Sequence, residues 1–237
     1  MRAVRLAAAV CLAVAVAFLH SAVADGESPG SHPVVSIALP GGVSLEMVEA
    51  TNGFFIGKYE VTQEQWLALM TKENFFFHGE SGLPADHVTW RLCQEFIGRI
   101  NGLESTRSAG LRMRLPTEEE WVLCLLAGQS RAEALPEDGE SLEERAWLWD
   151  NAKLRVHPVG GKRPNAWGLY DMQGNVWELC ETVLFGASVS KGGDFAEGVR
   201  VCDPSYRNLS GKGFTDYCGV IGVRLAADRV VADGVSK

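Results

Sequence analysis

The segment from Arg163 to Glu178, RPNAWGLYDMQGNVWE, constrains the fold of this chain more than any other part. It contains two turn-forming pairs, Pro-Asn and Gly-Asn, and apolar side chains that favour burial. Asp171 and Glu178 stand on either side of the second turn. A turn there would aim carboxylate oxygens and backbone carbonyls at one point. Such an all-oxygen cluster suits a hard cation, Ca²⁺ above all.

The N-terminal residues 1–24 have the pattern of a secretory signal peptide. Arg2 and Arg5 form a basic start, residues 6–19 are an apolar core, and Ala22-Val23-Ala24 matches a small-x-small cleavage site. The apolar core is too short for a permanent membrane helix. We therefore expect export to the periplasm or the outside of the cell, with no permanent membrane anchor.

The net charge limits the classes of partner, and the cysteine count limits the possible disulfide pairing. The net charge of −8 becomes about −10 if the two arginines of the signal are removed. This acidity argues against nucleic acid or an anionic membrane surface as a partner. Five cysteines would remain after cleavage, and an odd number leaves at least one thiol unpaired. They are Cys93, Cys124, Cys180, Cys202 and Cys218.

The hydrophobic pattern predicts an α+β domain over residues 34–230, after a linker at 25–33 and before a tail at 231–237. Residues 34–48 alternate as a β-hairpin across Pro-Gly-Gly, and residues 54–61 form another strand. Thr62, Thr89 and Thr117 each precede a helix as N-caps. The acidic segment 129–145 is predicted to be a surface loop. Beyond it, short strands and turns dominate.

Six strings in order resemble the formylglycine-generating enzyme family, also called the sulfatase-modifying factor domain. One is the segment at 163–178, which is similar to PNxxGLYDMxGNVWEW. The other five are KYEVTQEQW, LPADHVTW, RLPTEEEW, KGGDF and GVR, ending at Arg224. The resemblance implies the family's irregular α+β fold, with short strands, a few short helices and much loop, related to C-type lectins.

The resemblance also implies a copper site that this chain has altered. Catalytic members hold Cu(I) between two cysteines and use O2 to oxidise a sulfatase cysteine, in Cys-x-Pro-x-Arg, to formylglycine. Paired soft thiolates select Cu(I). Counted from Gly193, the two positions are Glu197 and Cys202, and the active-site serine position is Asp194. A hard carboxylate is a poor Cu(I) ligand, so the oxidase chemistry is expected to be absent.

Cys202 has two interpretations at this point. It is either a reactive or metal-binding thiol, and thus a candidate catalytic residue, or a structural cysteine that is buried or paired with Cys218. Reactive cysteines need an electropositive setting, and the structural interpretation is preferred. Asp194 and Glu197 could form a different metal site with Cys202, but they are expected to be solvated loop residues.

The calcium ligands implied by the resemblance are Asp171, the carbonyl of Gly174, the carbonyl of Val176, and Glu178. Two functions follow. The preferred one is an exported, calcium-stabilised binding domain that holds a protein or small ligand in the family's substrate groove. The alternative is a copper- and O2-dependent oxidoreductase that forms formylglycine. The sequence gives no oligomeric state.

Overall fold

The computed structural model describes residues 32–51, 53–71, 75–134, 142–211 and 220–230. The predicted signal peptide, most of the linker, Cys218 and the tail lie outside these ranges. Within them no helix is long and apolar enough to span a membrane. The described residues form two β-sheets with short helices packed around them, so the α+β class is confirmed.

The first sheet has the order β1-β2-β3-β9-β4, and every neighbouring pair is antiparallel. The predicted hairpin is confirmed as β1–β2, joined by a 3-10 turn over Pro40–Gly42 in which Gly41 has φ 78°. The predicted strand at 54–61 is shorter than expected and ends at Gly57. The strands are β1 Val34–Ala38, β2 Ser44–Thr51, β3 Phe54–Gly57, β4 Leu111–Arg114 and β9 Ala226–Arg229.

The second sheet has the order β7-β6-β5-β8. Among the described strands of this sheet, only the β5–β8 pair is parallel, and it places Trp177 opposite Ile221 and Glu178 opposite Gly222. This pair brings the end of the 163–178 segment next to the chain that leads to Arg224. The strands are β5 Trp177–Leu184, β6 Ala187–Lys191, β7 Asn208–Gly211 and β8 Ile221–Gly222.

The three predicted N-caps are confirmed. The hydroxyl oxygens of Thr62, Thr89 and Thr117 accept hydrogen bonds from backbone N–H groups three residues later, and the first and third form complete capping boxes. Two short helices, α3 and α5, were not predicted. The helices are α1 Gln63–Leu67, α2 Trp90–Asn101, α3 Glu104–Ser108, α4 Glu118–Leu126 and α5 Arg131–Ala134.

The segment at 129–145 is more than the predicted surface loop. It contains the short helix α5. Two of its apolar residues, Ala134 and Leu142, are buried. Leu142 packs in a cluster with Ala146 and Trp177. The prediction was wrong here because a few apolar anchors in an otherwise polar segment are enough to hold it against the domain.

A buried lysine connects the second sheet to a helix. Lys191, at the end of β6, donates hydrogen bonds to the Glu118 carboxylate at 3.2 Å and to the backbone carbonyls of Pro204 and Tyr206. Arg207 Nε donates to both oxygens of Glu118 at 2.7 and 2.8 Å. Glu118 begins α4, so this cluster fixes α4, β6 and the segment before β7 relative to one another.

Candidate functional site

The 163–178 segment makes tight turns at residues whose backbone has the left-handed conformation. Asp171, Gly174 and Asn175 have φ of 53°, 73° and 59°. A Cβ at Gly174 would lie 2.1 Å from the carbonyl oxygen of Trp147, which only glycine avoids. The predicted turn around Gly174-Asn175 is therefore present, and it leads directly into β5.

Glu178 lies at the centre of a buried hydrogen-bond network. Arg224 Nε donates to both of its carboxylate oxygens at 3.0 Å, and Arg224 Nη2 donates to Oε1 at 2.7 Å. Trp121 Nε1 donates to Oε2 at 2.6 Å. The two remaining Arg224 bonds go to the backbone carbonyls of Gly57 and Tyr170. This pair therefore joins β3, α4, β5 and the 163–178 segment.

Two more buried carboxylates lie around this pair. Glu60 accepts hydrogen bonds from Asn175 Nδ2 at 2.7 Å and from the Val176 backbone N–H at 3.2 Å. Asp171 Oδ2 accepts from the Gly160 N–H at 2.6 Å, whereas its Oδ1 is buried without a partner. Burial raises the pKa of Glu60 well above its ordinary value and that of Asp171 to about 6. The Arg224 guanidinium thus interacts electrostatically with all three carboxyl groups, and Lys162 also interacts with Asp171.

The two carboxylates among the predicted calcium ligands differ in whether they have an oxygen without a hydrogen-bond partner. Asp171 Oδ1 has no hydrogen-bond partner among the described residues. The residue also lines a cavity of about 10 Å³, roughly the room of one water molecule. Glu178, in contrast, already accepts four hydrogen bonds from Arg224 and Trp121. Across the described ranges, no group of three or more His, Cys, Asp or Glu side chains is arranged to hold a metal ion. The same cavity is lined by Arg145 and Arg163, and Glu178 has no unoccupied carboxylate position, so Glu178 in this geometry is poorly placed to be a cation ligand.

Asp194, at the position of the implied active-site serine, is a buried structural residue. Only 2% of it is exposed, and its Oδ1 and Oδ2 each accept a backbone N–H at 2.9 Å, from Ala196 and Val220 respectively. Burial raises the pKa of its carboxyl group. The expectation that Asp194 is solvated was therefore wrong, because its partners are backbone groups that sequence inspection does not reveal.

Glu197, at the position of the first implied copper cysteine, is partly buried. Its Oε2 is inaccessible to solvent and has no hydrogen-bond partner among the described residues. Burial and the neighbouring Asp194 raise its pKa. Its backbone carbonyl accepts the Trp149 N–H at 3.0 Å. The expectation of a solvated side chain was thus also wrong for one of its two carboxylate oxygens.

Cys202 has a free, buried thiol. It packs with Leu148, Trp177 and Val201, and burial raises its pKa to about 12. A thiol with this pKa is almost fully protonated at neutral pH, and the thiolate is the nucleophile and metal ligand. The buried structural interpretation fits this setting, while its proposed partner Cys218 lies outside the described residues.

Asp194, Glu197 and Cys202 are nevertheless neighbours in space. Glu197 and Asp194 both disfavour the Cys202 thiolate electrostatically, and a Cβ at Gly193 would lie 3.4 Å from Cys202 Sγ. The structure thus brings together the three positions implied by the resemblance. Their chemistry is two carboxyl groups and one protonated thiol, without a second thiol.

Comparison with known proteins agrees with these motifs. The model of the sulfatase-modifying factor enzyme 1-like domain matches residues 43–229, more than half of the chain. The chain belongs to this family. A chaperone protein LppX of Paenibacillus barcinonensis is 28% identical over 205 residues, covering 65% of this chain and 73% of that protein. Mouse inactive C-alpha-formylglycine-generating enzyme 2 is 33% identical over 107 residues, 40% of this chain and 31% of the mouse protein.

Two solved structures show the same fold. Treponema denticola variable protein 1 superposes with a TM-score of 0.67 at 22% identity, covering 83% of this chain and 99% of that one. PvdO from Pseudomonas aeruginosa superposes with a TM-score of 0.60 at 19% identity, covering 84% and 92%. The irregular α+β fold related to C-type lectins, implied by the family motifs, is therefore confirmed.

Sequence reasoning assigned no role to Glu60, Trp121 or Arg224, although all three lie within family motifs. Glu60 belongs to KYEVTQEQW, Trp121 ends RLPTEEEW and Arg224 ends GVR. A signal was present, because separate motifs of one fold often meet at one place. Nothing in the individual strings showed that these three meet at Glu178.

Proposed function

We propose that this chain is an exported binding domain of its family that does not carry out cysteine oxidation. One observation carries the proposal. Among the described residues, the copper position offers one buried thiol of raised pKa, Cys202, beside two carboxyl groups, Asp194 and Glu197. Soft Cu(I) is selected by paired thiolates, and a carboxylate is a poor substitute.

The relatives support a role in binding. One is named a chaperone protein and another an inactive formylglycine-generating enzyme. The ligand, a protein or a small molecule, would bind on the face around Asp194 and Glu197, which corresponds to the family's substrate groove. The N-terminal signal pattern supports export, and the acidic net charge disfavours nucleic acid as a partner.

Calcium is part of the proposal as a structural ion. Three buried carboxyl groups lie around the Arg224 guanidinium, and Asp171 Oδ1 lacks a hydrogen-bond partner among the described residues. Asp171 and the carbonyls of Gly174 and Val176 would hold the ion. Glu178 would balance charge through Arg224 and, in this geometry, has no free position for the ion. When bound, calcium would offset the buried negative charge of Asp171 and stabilise the turn before β5.

The alternative function is copper- and O2-dependent formation of formylglycine. It is favoured by the retention of Cys202 and by its closeness to Glu197. The two functions are separated by incubating the purified mature protein with Cu(I), O2 and a Cys-x-Pro-x-Arg peptide. Mass spectrometry should show an unchanged peptide, while an active family enzyme converts it in parallel. Conversion to the aldehyde by this protein would overturn the binding-domain proposal.

A further inference from the structure

Two tyrosine rings lie against each other beside the buried carboxylate cluster. Tyr59 follows β3, and Tyr170 belongs to the 163–178 segment. Their ring centroids are 5.0 Å apart and the ring planes are tilted by 32°, a separation typical of contacting aromatic rings. Both residues are half-buried, so they are partly accessible to solvent. The proposed binding-domain function uses neither ring.

The neighbouring backbone keeps the two rings together. The Tyr170 N–H donates to the Lys58 carbonyl at 3.0 Å, so the two chain segments run side by side at this point. Gly160, with φ 75°, lies directly against the Tyr59 ring, because a Cβ added there would be 2.8 Å from Tyr59 Cε1. These contacts limit how far the Tyr59 ring can move away from Tyr170.

Two phenols in contact are suited to oxidative coupling. A one-electron oxidant takes one electron and one proton from each phenol and leaves two tyrosyl radicals, whose unpaired electrons are shared with the ring carbons ortho to the oxygen. A carbon–carbon bond forms between one ortho carbon of each ring, and the two hydrogens on those carbons move as protons to the phenolic oxygens. Hydrogen peroxide accepts the two electrons and two protons and becomes two water molecules. Coupling is fast when folding has already positioned the two reactants.

The other tyrosines of the chain have different surroundings. The sequence contains four tyrosines, and Tyr217 lies outside the described residues. Tyr206 stacks on the Trp177 ring, with 5.9 Å between the centroids. Among the described tyrosines, Tyr59 and Tyr170 therefore form the one tyrosine pair. Coupling within one molecule should be confined to this pair.

We propose that Tyr59 and Tyr170 form a modification site, at which a haem peroxidase and hydrogen peroxide produce an intramolecular dityrosine. The bond joins the KYEVTQEQW motif to the 163–178 segment. Each tyrosine directly precedes a carboxylate of the buried cluster, Glu60 and Asp171 respectively. The cross-link thus fixes the two backbone segments that carry these carboxylates, and it closes a long loop of the chain.

Oxidation of the purified full chain tests the site directly. The protein is kept dilute, so that coupling between molecules is slow, and is treated with a haem peroxidase and hydrogen peroxide. The monomer should gain dityrosine fluorescence and lose the mass of two hydrogen atoms. Tandem mass spectrometry after proteolysis should find one cross-linked pair of peptides, containing Tyr59 and Tyr170. Because a cross-link that closes a long loop restricts the unfolded chain, Tm should rise on the order of 10 °C.

Phenylalanine variants remove the phenol and keep the ring. Tyr59→Phe and Tyr170→Phe should each abolish the fluorescence and the mass loss in the monomer, while Tm before oxidation stays close to that of the normal protein. Tyr206→Phe is the matched control. It removes a tyrosine that stacks on Trp177 instead of on another tyrosine, so the yield of dityrosine should be unchanged.

Three results would overturn the proposed site. They are a monomer without dityrosine after oxidation, a cross-link that maps to other tyrosines, and a yield that survives in Tyr59→Phe or Tyr170→Phe. A cross-linked monomer with an unchanged Tm would overturn the stabilising effect. None of these results bears on the binding-domain function, which is tested separately by aldehyde formation in the copper assay.

Discussion

Glu178 and Arg224, 46 residues apart in the chain, form a fully buried ion pair with three hydrogen bonds between 2.7 and 3.0 Å. Glu178 is the second residue of β5 and Arg224 follows β8, and these two strands form the one parallel pair among the described strands. Because Arg224 also donates to the carbonyls of Gly57 and Tyr170, the pair joins both sheets. It is the structural centre of the domain, and Asp171 and Glu60 border it.

Removing one partner of this pair should destabilise the domain strongly. Arg224→Met leaves the buried Glu178 carboxylate without its counter-charge, and Glu178→Gln removes the carboxylate that accepts three hydrogen bonds from Arg224. Each change should cost about 3–5 kcal/mol. Urea unfolding followed by tryptophan fluorescence measures the change. The matched control is Glu95→Gln, which breaks an exposed pair with Arg99 and should change the stability by less than about 1 kcal/mol. Similar losses in both variants would contradict the central role of the pair.

Calcium should stabilise the normal protein through Asp171. Thermal unfolding is compared in EDTA and in excess Ca²⁺, where a ligand at 100 times its Kd adds about 2.7 kcal/mol. Asp171→Asn should remove most of the calcium-dependent shift in Tm, because it removes the free Oδ1 charge. Asp150→Asn, at an exposed carboxylate on the neighbouring loop, is the control and should keep the shift. A Tm that is identical with and without calcium would remove the ion from the proposed function.

The contrast between confirmed and wrong predictions has a physical pattern. The β1–β2 hairpin and the caps at Thr62, Thr89 and Thr117 were predictable because their interactions span only a few residues. Asp194 was wrongly expected to be solvated because one of its partners, the Val220 N–H, is 26 residues away. The same limit hid the Glu178–Arg224 pair. The sequence showed which motifs belong to the family but not which of their side chains meet.

The Glu118–Lys191–Arg207 cluster should make stability depend on acidic pH. Burial alone would raise the pKa of Glu118, but hydrogen bonds from Arg207 and Lys191 hold it below its ordinary value of 4.5. A carboxyl group with a lowered native pKa stabilises the fold above its unfolded pKa, and this contribution disappears as the pH falls through the native pKa. Stability should therefore decrease below about pH 4.5.

Glu118→Gln checks the origin of this effect. At pH 7 the variant should be less stable by a few kcal/mol, on the order of 3, because Lys191 loses its only carboxylate partner among the described residues. The difference between the two proteins should narrow as the pH falls below about 4.5, measured by urea unfolding at each pH. Glu104→Gln, at an exposed helix position, is the control. A difference that stays constant down to pH 3 would assign the effect to other groups.

Introducing a second thiol tests whether the lack of paired thiols explains the weak Cu(I) binding expected at the altered copper position. The normal protein should compete poorly with a chelator for Cu(I), because Cys202 is a protonated, buried thiol and Glu197 is a hard ligand. Glu197→Cys should bind Cu(I) more tightly, since it places a second thiol in the same cluster. Glu197→Ser, which changes size without adding sulfur, should not. The gain should disappear in the double variant Glu197→Cys, Cys202→Ser. Tight Cu(I) binding by the normal protein that is lost in Cys202→Ser would instead support the oxidoreductase, with Glu197 as a copper ligand.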